Sequence, residues 1–66
     1  MQIFLNGEAR EVEEGASVAS LLDAANLASR HVAVEVNLEL VPRGRHGERL
    51  LAAGDRLEVV TLVGGG

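Results

Sequence analysis

The chain contains no cysteine, and for a sequence this short that absence constrains the fold more than any residue present. Its 66 residues make one small domain, and a domain of that size buries only ~60% of the surface its unfolded chain exposes. Small domains often rely on a disulfide or a metal as a staple. Without thiols, a disulfide framework, a zinc–thiolate site and a cysteine nucleophile are all excluded. Cohesion has to come from packing, and the 47% hydrophobic content, drawn mostly from Leu, Val and Ala, supplies the material.

The hydrophobic pattern then orders the elements. Met1, Ile3 and Leu5 alternate with Gln2, Phe4 and Asn6, the two-residue period of a half-buried strand. Asn6-Gly7 reads as a type I′ turn, whose central residues both need positive φ. The return strand over residues 8–12 alternates poorly, as an edge strand does. After a loop at 13–16, Ser17 is a candidate N-cap. Val18, Leu21, Leu22 and Ala25 follow at i, i+3, i+4 and i+7, so one face of a short helix is apolar. Asn26 ends that helix and Leu27 packs after it. Val32, Val34 and Val36 mark a second clear strand, and a short piece around Leu40 and Val41 stops at Pro42, which cannot donate to a ladder. Residues 43–49 read as a polar loop and residues 50–53 as a short helical or 3₁₀ turn, while Gly54-Asp55 turns the chain into a last strand over 56–62.

This order describes an α+β domain over residues 1–62. It has a mixed sheet of four to five strands with one main helix on one face, the pattern of the β-grasp, or ubiquitin-like, fold. In that fold the last strand lies parallel to the first at the sheet centre. If Leu57 and Val59 point into the core, then Arg56, Glu58, Val60 and Leu62 point away from the helix, as does Phe4, the single aromatic residue. Phe4, Val60 and Leu62, continued by Val63, are therefore expected to form an apolar contact patch. Scattered exposed apolar residues are also ordinary on a monomer.

Residues 63–66, Val63-Gly64-Gly65-Gly66, read as a flexible C-terminal tail. Glycine loses the most backbone entropy on ordering and buries no side chain, so the run adds nothing to a core. It reaches at most ~13 Å when extended, slim enough for a narrow slot that a Cβ would block. Fraying is the other reading of such an end. A carboxylate is inert until its oxygen becomes a leaving group. Attack on the α-phosphate of ATP achieves this by forming an acyl-adenylate, which a sulfur nucleophile can displace. The machinery for that step is missing, since the sequence has neither a Gly-rich nucleotide loop followed by Lys nor any Lys at all.

Charge and hydropathy narrow the partners. The net charge is −4 and all six basic residues are Arg, which argues against a nucleic-acid backbone binder. One aromatic residue provides no stacking platform for single strands. The Met1 end has a strand pattern in place of a charged segment followed by an apolar one, and no apolar run approaches the ~18 residues of a membrane span. The expectation is a cytoplasmic protein that binds neither nucleic acid nor membrane.

The stretch from Val36 to Arg43 (Val-Asn-Leu-Glu-Leu-Val-Pro-Arg), Gly54-Asp55 before a strand, and the closing Val-Gly-Gly-Gly together resemble the ThiS family, the sulfur carrier proteins of thiamine biosynthesis. The resemblance covers essentially the whole chain. It implies that Gly66 is adenylated by an E1-like enzyme of the ThiF type and converted to a thiocarboxylate, with Gly64 and Gly65 as the slender approach and Gly64 a possible spacer. The thiocarboxylate then delivers sulfur to a thiazole synthase of the ThiG type, the sulfur coming from a donor such as a cysteine desulfurase. On this reading the chain is a substrate of enzymes and not an enzyme, with no catalytic residue, metal or cofactor of its own, because ATP is used by the partner. The small subunit of molybdopterin synthase and carriers of other sulfur pathways share the fold and tail and stay open. So does a non-covalent ubiquitin-like binding module that works through the Phe4, Val60 and Leu62 patch.

The remaining polar residues read as structural or solvated. His31 and His46 have no ligand-spaced partner, and both are expected in solvent. Glu11, Glu13 and Glu14 read as a solvated loop, and Arg43 to Gly47 as a solvated loop or rim contact. Asn37 and Asp55 are expected to form turns through side-chain hydrogen bonds to nearby backbone.

Overall fold

The structure of the chain is a computed structural model that describes residues 1–28 and 31–62. The turn at Asn6 and Gly7 has φ of 50° and 85°, the left-handed geometry that type I′ turns require and that these two residues tolerate best. It joins β1 (Gln2–Leu5) to an antiparallel β2 (Glu8–Glu11), with Leu5 opposite Glu8 and Gln2 opposite Glu11. Pairing continues one bond beyond β2, where the Val12 amide donates to the Met1 carbonyl at 2.8 Å.

The helix α1 (Val18–Ala24) starts where the sequence places its cap. The Ser17 hydroxyl accepts from the Ser20 amide at 3.1 Å, and the Ser20 hydroxyl accepts from the Ser17 amide at 2.9 Å. This reciprocal box satisfies two of the donors a helix start leaves orphaned. At the other end Asn26 sits at φ 62°, the Leu27 amide reaches back to the Leu22 carbonyl and the Asn26 amide to the Asp23 carbonyl, a Schellman-type stop. A helix of seven residues is too short to hold itself together in water. Val18, Leu21 and Leu22 hold it by packing on the sheet.

Three more strands complete that sheet: β3 (Val32–Val36), β4 (Glu39–Val41) and β5 (Arg56–Thr61), in the spatial order β2-β1-β5-β3-β4. β1 and β5 are parallel, with Phe4 beside Arg56 and Leu5 beside Leu57, and every other pairing is antiparallel. The last strand is thus central and parallel to the first, as a β-grasp fold demands. One face of the sheet carries the core: Ile3, Val34, Val36, Val41, Leu57 and Val59 pack against α1 and Leu51.

The sequence reading of residues 50–53 as a helical turn is corrected. The 3₁₀ turn lies at Arg43–Arg45, directly after Pro42, whose fixed φ suits the start of a helical turn. Residues 49–51 are instead extended beside the entry to α1. The Val18 amide donates to the Arg49 carbonyl at 2.9 Å and the Leu51 amide to the Ala16 carbonyl at 2.8 Å, and those partners are available only to an extended chain.

Asn37 and Asp55 make the expected turn contacts and also bond to each other. The Asn37 Nδ2 donates to Asp55 Oδ1 at 3.0 Å, Asp55 Oδ2 accepts from the Ala52 amide at 2.8 Å, and Asn37 Oδ1 accepts from the Arg56 amide at 3.0 Å. The β3–β4 turn pairs Asn37 at φ 52° with Leu38 at φ 71°. Leu38 is also 87% exposed, so it carries a left-handed backbone, which costs an L residue about 1–2 kcal/mol, without burying its side chain in return. Leu38→Gly is expected to stabilise the fold by about 1 kcal/mol, a rise of roughly 4–8 °C in melting temperature for a domain of this size. A thermal melt of the two proteins side by side checks it, and an unchanged or lower midpoint would show that the leucine is held by contacts worth more than its strain.

Candidate functional site

With α1 covering one face, the other face of the sheet is open. Across its middle runs Leu40 on β4, Glu35 on β3 and Glu58 on β5, each opposite the next in register. One row toward the end of β5, Ala33 stands opposite Val60, and Leu62 follows, its amide donating to the His31 carbonyl at 2.8 Å. One row the other way, Arg56 on β5 lies beside Phe4 on β1, and Phe4 lies opposite Ala9 on β2.

Val60 and Leu62 are 57% and 50% exposed, as their outward alternation requires. Phe4 also points outward but does not join them, which corrects the expected single patch. Parallel pairing places Phe4 level with Arg56, four residues before Val60 and roughly 13 Å from it along the strand. The Arg56 guanidinium lies over the ring at 4.6 Å from its centroid, a cation–π contact that leaves Phe4 half-buried. Adjacency of two strands is not enough to bring two side chains together, because register decides which residues are level. Val63, Gly64, Gly65 and Gly66 lie outside the described residues.

Between Phe4 and Val60 the face is acidic. Glu35 and Glu58 are directly opposite each other, a placement that sets Cβ atoms ~4.5–5.5 Å apart and is unfavourable for like charges. Neither forms an ion pair with a described residue. Leu40, 67% exposed, flanks them on the far side. Alternation in the sequence marks Glu35 and Glu58 as outward, but their pairing and the contribution of Leu40 depend on register between strands distant in the chain.

The other singled-out residues fall elsewhere. His31 is exposed. His46 is not solvated as expected: it is buried, its Nε2 is 3.1 Å from the Val41 carbonyl, and its own carbonyl accepts from the Ala19 amide. The 3₁₀ turn folds the ring back under β4, so His46 fastens the 43–49 loop to the helix and sheet. Glu11, Glu13 and Glu14 are exposed, but together with Arg10 and Ser20 they line an open cleft of about 440 Å³ between their loop and α1. It sits by the C-terminal end of β2, and so at the opposite end of the sheet from Leu62. Among the described residues no three potential ligands are grouped to hold a metal, and no helix is long and apolar enough to cross a membrane.

The family model described as the ThiS family matches residues 3–66. The chain belongs to the ThiS family. A crystal structure of the thiamine biosynthesis protein ThiS from Geobacter metallireducens superposes on this ThiS-family chain with a TM-score of 0.84, at 32% identity and with each chain covered completely. The sulfur carrier protein ThiS of Escherichia coli is 27% identical over 66 residues, again with both chains covered in full. A thiazole synthase of Paramagnetospirillum magneticum is 41% identical over 66 residues, but the chain spans only 20% of that relative's length. Of the branches left open by the sequence, the thiamine branch is the one these likenesses support.

The charge pair on the open face of this ThiS-family fold makes a stability prediction. Glu58→Gln should stabilise the domain by roughly 0.2–1 kcal/mol by removing the like-charge opposition, and the gain should shrink in 1 M salt, where the screening length falls to about 3 Å. Denaturant titrations at low and high salt would check it, and a destabilised variant would mean that Glu58 has a favourable partner.

Proposed function

We propose that the chain is a sulfur carrier of thiamine biosynthesis whose C-terminal glycine, Gly66, is the reacting residue. The observation that carries this reading is the extent of the family match, which runs through the glycine run to residue 66 and so includes the residues the fold has no use for. Pathway and role follow the relatives that match along their whole length.

A Gly66 carboxylate oxygen attacks the α-phosphorus of ATP, pyrophosphate leaves, and an acyl-adenylate forms. A sulfur nucleophile then adds to the acyl carbon and AMP departs. Where that nucleophile is a persulfide on the donor, the product is an acyl disulfide, and a second thiol attacks the donor's own sulfur, breaking the S–S bond, forming a disulfide with the donor and leaving the thiocarboxylate on Gly66. An E1-like, ThiF-type enzyme performs the activation and uses the ATP, and a donor such as a cysteine desulfurase supplies the sulfur. The chain itself is not an enzyme. Gly64 and Gly65 let the terminus enter a narrow site, because without Cβ atoms only backbone has to fit.

The thiazole synthase is the acceptor in this scheme. Support for it comes from the Paramagnetospirillum magneticum relative, in which a homologous segment forms part of a chain that is itself a thiazole synthase. Val60, Leu62 and Val63 are the contact residues we assign to these partners, with Phe4 in a separate, Arg56-capped position. In this reading the carrier works in the cytoplasm.

Incubating the protein with the adenylating enzyme, ATP and a sulfur source should raise its mass by the difference between one sulfur and one oxygen, located on the C-terminal peptide. Deleting Gly65 and Gly66 should abolish that gain with no effect on folding, because Val59 is the last core residue among the described residues and glycine has no side chain to bury. An unchanged mass with a partner competent toward another carrier would end the proposal. Val60→Asp should weaken partner binding while keeping stability within about 0.5 kcal/mol, as substitutions at exposed positions usually do.

A further inference from the structure

The central ladder stops early on one side. The Asn37 amide donates to the Arg56 carbonyl and the Leu62 amide to the His31 carbonyl, so Arg56, Glu58, Val60 and Leu62 direct their backbone groups to β3. The alternate residues direct theirs to β1. There the Phe4 amide donates to the Asp55 carbonyl at 2.9 Å and the Asn6 amide to the Leu57 carbonyl at 2.8 Å. At Val59 no backbone partner is left, because β1 has already turned, and the Asn6 side chain takes its place. The Val59 amide donates to Asn6 Oδ1 at 2.8 Å, and Asn6 Nδ2 donates to the Val59 carbonyl at 3.2 Å.

The next residue in this series is Thr61. Its N–H and C=O face the side that β1 has vacated, it is exposed, and among the described residues neither group has a hydrogen-bond partner. The outer edges of the sheet are guarded by features that discourage strand addition: charged Glu8, Arg10 and Glu11 on β2, and Glu39 and the following Pro42 on β4. No such guard stands at Thr61. On the adjoining open face Val60 and Leu62 present apolar side chains at alternate positions, and the Glu35 and Glu58 carboxylates, which have no ion pair among the described residues, lie one row away.

We propose that this inner edge accepts an extended strand of the thiazole synthase, which pairs with the Thr61 backbone, packs its own alternate apolar residues on Val60 and Leu62, and sets a basic residue against Glu35 and Glu58. Backbone pairing along a sheet edge supplies affinity while side-chain pockets supply choice of partner, and a run of glycines can be gripped in no other way than by its backbone. The inference rests on the carrier reading for the identity of the partner, but the geometry at Thr61 stands without it.

Residue-resolved hydrogen exchange on the full chain, free and bound to purified thiazole synthase, tests the proposal. In the free protein the Thr61 amide should exchange rapidly while those of Val60 and Leu62, bonded to β3, are slower. In the complex it should slow by at least about tenfold. Thr61→Pro removes the donor without touching the β3 ladder and should weaken the complex about tenfold, whereas Thr61→Val keeps the N–H and should bind normally. Absence of a complex, a Thr61 amide that exchanges equally fast in the complex, or a folded Thr61→Pro that binds undiminished would overturn strand addition. Protection by the adenylating enzyme alone would overturn the choice of occupant. Mass analysis of the same preparations separates the two readings: a thiocarboxylate without Thr61 protection defeats the strand alone, and protection without a thiocarboxylate defeats the carrier alone.

Discussion

Pairing of β1 with β5 joins the beginning of the chain to its end, and the other features of the molecule follow from that ladder. Loop closure over so long a separation is entropically costly, and the cost is met by burying Ile3 of β1 and Leu57 of β5 in one core with Val18 and Leu21. Once β5 is central, β3 can pair only on its free side and β4 only beyond β3. The helix then covers the face on which Leu57 and Val59 alternate inward. Asn6 marks the end of the ladder. It turns the chain at a positive φ and uses its amide in place of the backbone that the turn removes.

The division of the sheet into a covered and an open face also separates the residues that hold the fold from those assigned to partners in the proposed function. The covered face obeys the rules of packing with no buried side-chain polar atom left unpaired among the described residues. On the open face the rules are broken: two glutamates stand opposite each other, and leucine and valine side chains face water. Such departures from local consistency tend to concentrate where a protein meets something else. Of these, Glu58 and Val60 lie on β5 and Leu62 directly after it, the segment that leads into the glycine run, which is where the proposed carrier would be held.

Much of the fold was legible in the sequence because short-range rules governed it. Asn-Gly specified its hairpin, Ser17 its cap, Asn26 its helix stop, and strict alternation at Val32, Val34 and Val36 its strand. The helical reading of residues 50–53 failed because the backbone partners that hold this stretch extended, Ala16 for Leu51 and Val18 for the preceding Arg49, are distant in the chain. His46 was read as solvated for a similar reason, since nothing local indicates that a 3₁₀ turn will fold it beneath Val41.

The sequence by itself determined the five strands and the helix, the inward and outward alternation of β5 and the family to which the chain belongs, since periodicity, turn chemistry and motif spacing are properties of neighbours along the chain. Tertiary structure alone decided which outward residues share a neighbourhood. Parallel register between β1 and β5 carried Phe4 away from Val60 and under Arg56 and left Thr61 with no strand on its β1 side, while antiparallel register between β3 and β5 set Glu35 against Glu58. The physical reason is that register between distant strands is set by packing of the whole core and by where a turn stops the ladder, and no local pattern encodes either.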